Sequence, residues 1–261
     1  MKRYRKAVLA GIVIGACMIG GSAWADFQTT PEEESVKEAF IGSQNISDHI
    51  GQFKSENGKT DGLSEEQIQG YIDRFNAQVD RYYTQDNVCR ETYKETNEQI
   101  LREVAKNKVC YKVDGGVLDC TFHKVSISED GQTAMVKATY LAWGNWVEEN
   151  ENHEIEVTAP VNQVDISATM LKEDDVWKLK KIDEMNVSFA EDVIYELEED
   201  QETASTASAY SEEQKQQMDS IDEYIEQTYL TEYKTFDEAL AVAESLNPNE
   251  INPFELWWKS R

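Results

Sequence analysis

Between Ser64 and Leu179 the spacing of the apolar residues changes once, from about 3.6 to 2, and that change restricts the chain to an α+β arrangement. Ser64-Glu65-Glu66-Gln67 has the form of a capping box. Ile68, Tyr71, Ile72, Phe75, Val79 and Tyr82 then fall on one helical stripe, which predicts a helix to about Thr84. Asp86 to Lys106 reads as a second helix, with Tyr93, Ile100, Leu101 and Val104 as its apolar positions. After it the residues alternate. Val109–Val113 and Val117–Ile127 read as strands, the second slipping phase between Phe122 and Val125, the mark of a bulge. Asp130-Gly131 is a turn, followed by alternation through Ala134, Val136, Ala138 and Tyr140 towards Trp146. Ile155, Val157 and Ala159 begin a strand that Pro160 interrupts and Val164, Ile166, Ala168 and Met170 resume. Glu173-Asp174-Asp175 then turns the chain into Val176–Ile182. Strands at this spacing, joined by short polar turns, predict an antiparallel meander.

The flanks divide the chain further. Thr30-Pro31-Glu32-Glu33 supplies an N-cap, a proline at the first helical position and an acidic first turn, predicting a short helix to about Ile41. Gln44 to Gly62 reads as a loop or tether. Residues 191–213 are acidic and rich in Ala, Ser and Thr, a solvated linker by composition. Ser211 and Gln214 cap a helix carrying Met218, Ile221, Tyr224, Ile225 and Tyr229, and Thr235 and Glu238 cap another carrying Phe236, Ala239, Leu240, Ala243 and Leu246. The expected units are a leader (1–25), a helix and flexible tether (26–63), an α+β domain (64–190), an acidic linker (191–210) and a C-terminal helical region (211–261).

The first 25 residues have the order of a bacterial export signal. Lys2, Arg3, Arg5 and Lys6 precede an uncharged apolar run from Ala7 to Gly21, and Ala23-Trp24-Ala25 offers small side chains at two cleavage-pocket positions. Ile14-Gly15-Ala16-Cys17 also fits a lipobox, which would anchor the protein through a lipidated Cys17. Both readings expect a periplasmic or secreted location, with no membrane span in the mature form. Four of the 25 Lys and Arg lie in the leader, leaving 21 against 51 Asp and Glu, a net charge near −30. Such a field repels phosphate backbones and anionic headgroups, so nucleic acid is excluded as a partner.

Two features of the strand region resemble the NTF2-like (cystatin-like) α+β superfamily. One is the "A-x-V" strand at Ala134–Val136. The other is the closing hairpin from Ala168 to Leu179, whose turn is followed by Trp177-Lys178-Leu179. The resemblance spans about residues 64–185. It implies helices packed on a strongly curved antiparallel sheet with a cone-shaped pocket, and a homodimer through the sheet is one arrangement it suggests. The superfamily includes enzymes, ligand binders, scaffolds and dimerisation modules, so the fold alone selects no function.

Few residues carry a chemical signature. His123 sits at the phase slip and is the candidate general base, with no nucleophile assignable from spacing. Tyr140, Trp143 and Trp146 form either an aromatic wall for a ligand or core packing. Trp257 and Trp258 are candidate anchors for a partner, or for the chain's own domain. In an oxidising compartment Asp114-Gly115-Gly116 as a hairpin loop would set Cys110 opposite Cys120 at disulfide distance; Cys89 paired with either one, or three reduced thiols, are the alternatives. The three histidines are scattered and the cysteines lack paired close spacing, so neither a metal site nor a cofactor is expected. The expectation is an exported, non-catalytic binding or assembly module whose partner is another envelope protein or a small ligand. A small-molecule enzyme and a periplasmic carrier are the alternatives.

Overall fold

The computed structural model describes residues 30–52, 64–107, 110–149, 153–189, 216 and 233–246. The leader with Cys17, the acidic linker, the first C-terminal helix apart from residue 216, Trp257 and Trp258 all lie outside these residues. The fold is α+β, with helices packed on a five-stranded antiparallel sheet. The elements in chain order are α1 (Pro31–Asp48), α2 (Glu65–Tyr82), α3 (Cys89–Asn107), β1 (Cys110–Ile127), β2 (Thr133–Glu149), β3 (Ile155–Thr158), β4 (Val161–Glu173), β5 (Val176–Phe189) and α4 (Phe236–Ser245).

Helix starts follow the capping chemistry. Thr30 Oγ1 accepts from Glu33 N at 3.1 Å ahead of Pro31. Ser64 and Gln67 exchange both bonds of the capping box. Thr235 Oγ1 accepts from Glu238 N at the start of α4. Along α2 the apolar stripe is realised, with Ile68, Ile72, Phe75 and Val79 buried and Tyr71 and Tyr82 half-buried.

Helix α1 is seven residues longer than its sequence predicts. Ser43 and Ser47 are residues that normally compete with a helix for backbone hydrogen bonds. Here both, and Gln44 between them, are buried and partnered. Ser43 Oγ donates to the Phe40 carbonyl at 2.7 Å, and Ser47 Oγ to the Gln44 carbonyl at 2.9 Å. The Tyr140 hydroxyl donates to Gln44 Oε1, and the Tyr83 hydroxyl to the Ser43 carbonyl at 2.8 Å. Burial raises the pKa of both phenols well above the ordinary range. Tertiary partners therefore hold as helix a stretch whose composition reads as a loop. At the other end of α1, Glu32 Oε1 accepts from both Trp177 Nε1 and Lys172 Nζ at 2.8 Å, which ties the first turn to the β4–β5 hairpin.

The strand order is β1-β2-β4-β5, with β3 pairing the far end of β2. β2 is the spine of the sheet: β4 pairs Thr133–Trp143, and β3 pairs Trp146–Glu149 after the break at Pro160. The β4–β5 turn places Asp174 and Asp175 at φ +52° and +61°, as a two-residue hairpin requires.

The hairpin expected at Asp114–Gly116 does not form. Cys110 to Ile127 is one strand, paired throughout with β2. The Asp-Gly-Gly signal is absorbed as irregular pairing: the register shifts between Lys112 and Asp114, and Gly116 takes φ +144°. The glycines allow close approach, since a Cβ on Gly115 would lie 2.9 Å from the Trp143 carbonyl oxygen. Cys110 and Cys120 are ten positions apart on this strand, about 30 Å at ~3.3 Å per residue, opposite Glu148 and Tyr140 respectively. They are not disulfide partners, and Cys120 is a free thiol.

Two buried clusters organise the packing. The first sets Val36, Phe40 and Ile46 of α1 and Phe75 and Val79 of α2 against Val136, Tyr140, Val164, Ile166, Met170 and Leu179 of the sheet. Phe40 is its centre, meeting the rings of Phe122 and Tyr140 edge-on at 5.7 and 5.8 Å. The second joins Ile68 and Ile72 of α2 and Leu101 and Val104 of α3 to Val113, Val147 and Val157. α4 completes this cluster by burying Ala239, Leu240 and Ala243, and Asn145 Nδ2 donates to the Ala243 carbonyl. The last C-terminal helix predicted from sequence therefore packs on the sheet.

Candidate functional site

Where α1 ends, α1, α2 and α3 leave a cavity of about 260 Å³ between them. Its lining comes from three short sequence patterns. Tyr71, Arg74, Phe75 and Gln78 stand at i, i+3, i+4 and i+7 on α2, which places them on one face. Asn97 and Leu101 stand at i and i+4 on α3. His49 and Gln52 come from the turn leaving α1.

That turn is fixed by its contacts. Gly51 takes φ +71°, a conformation that favours glycine. Its N–H donates to Asn97 Oδ1 at 2.9 Å. Gln52 Nε2 donates to Asp114 Oδ1 at 3.0 Å, and the Gln52 backbone bridges to Lys112 of β1. The hydrogen bond from Gly51 decides which end of the Asn97 amide is oxygen. The Nδ2 end is then a donor, buried and without a protein partner in a side chain only 1 % exposed. A buried donor left unmet costs about 1–3 kcal/mol.

The charge on the wall has one sign. The Arg74 guanidinium lies over the Tyr71 ring, 4.5 Å from its centroid, and makes no ion pair with a described residue. None of the eight lining side chains is acidic, in a chain where 51 of 261 residues are. Phe75 and Leu101 provide buried apolar surface. The cavity thus combines one cationic side chain, Arg74, with an aromatic and aliphatic wall.

The residues singled out by sequence lie elsewhere. His123 is the extra residue of the bulge between Phe122 and Lys124, where the phase slip predicts one. It stands exposed on the face of the sheet away from the helices. Its Nε2 is 2.6 Å from Thr139 Oγ1, and that hydroxyl donates to Asp165 Oδ1 at 2.5 Å. Since the single hydroxyl proton goes to Asp165, Thr139 Oγ1 accepts from Nε2–H. That nitrogen then has no lone pair to take the hydroxyl proton, so the row His123–Thr139–Asp165 is not an activated nucleophile. The carboxylate in this row is Asp165, brought opposite Thr139 by the β2–β4 register.

Tyr140, Trp143 and Trp146 form no common wall. Tyr140 is wholly buried under Phe40. Trp143 is half-buried against the first cluster. Trp146 is buried over Gly144, where a Cβ would fall 2.0 Å from its ring, and Lys112 Nζ sits 4.6 Å from its ring centroid. None of the three lines the cavity. Burial pushes the Cys120 thiol up to about 12, with Asp119 adding to the shift. No cluster of three or more His, Cys, Asp or Glu suited to a metal occurs among the described residues. No helix among them is long and apolar enough to cross a membrane.

No protein-family model matches the chain, and no curated protein matches it in sequence. Among solved structures, the intermembrane space region of the chloroplast protein ARC6 is similar at 13% identity and a TM-score of 0.34. The match covers 60% of this chain and 93% of that one. A likeness at that score is too low to establish a shared fold.

Proposed function

We propose that the chain is an exported, non-catalytic binding or assembly module of the bacterial cell envelope, built on an NTF2-like domain with a C-terminal helical appendage. The observation that carries this reading is the filling of the sheet by α1. In an NTF2-like enzyme the helix-covered face holds the reactive groups around an open cone. Here that face is occupied by Val36, Phe40 and Ile46, all fully buried, and by Tyr140 bonded to Gln44. The leader at residues 1–25 supports export, and the acidic charge supports a protein or small-ligand partner over nucleic acid. A homodimer through the open face of the sheet is the form of self-association this fold would use.

A second reading, an enzyme, uses His123 as a base rather than Thr139 as a nucleophile: with Nε2–H donated to Thr139, Nδ1 is the ring nitrogen that keeps its lone pair. The test expresses the full chain in a bacterial host, sequences the mature N-terminus and crosslinks the envelope fraction. Export with cleavage before Asp26, or at Cys17 in the lipoprotein form, is expected. So is a crosslinked envelope protein that is lost on deleting residues 250–261 with thermal stability unchanged. An uncleaved cytosolic protein would overturn the reading, as would turnover of a small substrate that disappears in His123→Ala.

A further inference from the structure

We propose that α4 is a latch that opens while the rest of the fold stays closed, and that the groove it vacates on β1, β2 and β3 is a docking site for an amphipathic helix of a partner. The docking half rests on the reading of the chain as a binding module; the opening does not.

The contrast with α1 decides how firmly α4 is held. α1 spans 18 residues and buries Val36, Phe40 and Ile46 completely. α4 spans 10 and rests on β1, β2 and β3 through Ala239, Leu240 and Ala243. Leu240 is the one large side chain that α4 buries; Phe236, Val242 and Leu246 stay half-buried. The strength of such a contact follows the apolar area it removes from water, and alanines supply little. A helix this short does not hold alone in water, so α4 is helical only while docked. Among the described residues two bonds join its segment to the sheet. Tyr233 N–H donates to the Ile155 carbonyl at 2.9 Å, and Asn145 Nδ2 donates to the Ala243 carbonyl. The closed form also leaves a polar group unmet. Asn145 is wholly buried, and with its Nδ2 given to Ala243 its Oδ1 has no donor among the described residues. An unmet buried acceptor weakens closure.

Opening uncovers Val113, Val147 and Val157, with Asn145 beside them. Such a groove selects a helix by spacing. Small side chains at i and i+4 let the helix approach the strands, and a large aliphatic one at i+1 fills the groove, as Ala239, Ala243 and Leu240 do. Residues 190–235 connect α4 to β5. A tethered segment acts at an effective concentration of about 1 mM or less, so a latch that stays closed has an intermolecular Kd below about 1 mM. A partner helix with the same spacing, and a further donor for Asn145 Oδ1, displaces it.

The test begins with hydrogen–deuterium exchange on the full chain. The amides of residues 240–243 should exchange at least about 100-fold faster than those of residues 136–141 in β2, the mark of a local opening. In Leu240→Asp the α4 amides should exchange as in an unfolded peptide while those of 136–141 stay protected. A peptide of residues 233–246 is then titrated into that variant, whose groove is vacant. The backbone amides of Val147 and Val157 should shift saturably with a Kd below about 1 mM, and a peptide carrying Leu240→Asp should bind at least about tenfold more weakly. The proposal is overturned if α4 and β2 exchange in one class in the parent chain, since α4 would then open only with the whole fold. It is equally overturned if residues 136–141 lose protection together with α4 in Leu240→Asp, or if the parent peptide at about 1 mM moves neither valine amide. A failure of the binding-module reading shows elsewhere, as an envelope fraction with no crosslinked protein, and leaves the exchange and peptide results standing.

Discussion

Truncating Phe40 to alanine tests whether α1 is an integral part of the sheet's packing. The side chain is fully buried and meets Phe122 and Tyr140 edge-on within 6 Å. Removing a buried phenylalanine costs about 3–5 kcal/mol, the larger values applying where neighbours cannot close the hole. Closure is hindered here because the residues around Phe40 belong to different elements. Tyr140 is held by its bond to Gln44, and Gly42 fixes the distance to α2, since a Cβ there would lie 2.2 Å from the Tyr82 ring. We therefore expect about 4 kcal/mol, against a total stability of about 5–15 kcal/mol for a domain. The melting temperature should fall by roughly 8–16 °C at about 2–4 °C per kcal/mol. Urea denaturation of the full chain, followed by circular dichroism and by tryptophan fluorescence, measures the loss. Glu38→Ala, exposed on the same helix, is the control and should change stability by less than about 0.5 kcal/mol. A Phe40→Ala loss no larger than that of the control would refute the reasoning, because a residue in the centre of a core cannot be removed so cheaply.

Other outcomes are equally specific. Hydrogen bonds from Lys172 and then Trp177 hold the Glu32 carboxyl below its usual range, so its stabilisation is present at neutral pH and fades as pH falls through the folded-state value. Melting curves between pH 7 and 3 should show a smaller acid-dependent loss in Glu32→Gln than in the parent chain; parallel curves would contradict the clamp. With the Cys120 thiol at about 12, only about one molecule in 10⁴ is thiolate at pH 8, four units lower. Cys120 should alkylate only after unfolding, and mass mapping of the native protein should find no Cys110–Cys120 bridge. Gly144→Ala would force the Trp146 ring aside and should cost about 1–3 kcal/mol, read by denaturant midpoint. His123→Ala should leave the fold within about 0.5 kcal/mol of the parent, since the side chain is exposed.

Sequence signals that act within one element were legible. The caps at Thr30, Ser64 and Thr235, the α2 stripe, the bulge at His123 and the Asp-Asp turn each depend on residues a few positions apart. What failed depends on residues distant in sequence. The stretch from Gln44 reads as a loop because what holds it as helix is distant: Tyr140, 96 positions on, bonds Gln44, and Tyr83, 40 positions on, bonds the Ser43 carbonyl just before it. Asp114-Gly115-Gly116 has the composition of a turn, yet α1 packs against it: Asn45 Oδ1 accepts from Val117 N at 2.7 Å. The β2 register continues through it. The sequence pattern ends the strand at Ile182 because 183, 184, 186 and 188 are polar and β4, distant in sequence, supplies the pairing of 183–189. The cavity left almost no trace. Tyr71 and Phe75 stood in the α2 stripe and read as core, whereas Arg74, Gln78 and Asn97 converge only because three helices meet. The Thr139 and Asp165 partners of His123 were hidden for the same reason, being set by strand register.

Hydrogen–deuterium exchange on the full chain tests the account's central claim most directly, that α1 and the sheet form one cooperative core. The amides of residues 40–47 in α1 should fall in the same slowest-exchanging class as those of residues 136–141 in β2. Exchange of the α1 amides within seconds, while the β2 amides stay protected for hours, would show that the helix does not occupy the sheet's face and that an open pocket lies there instead.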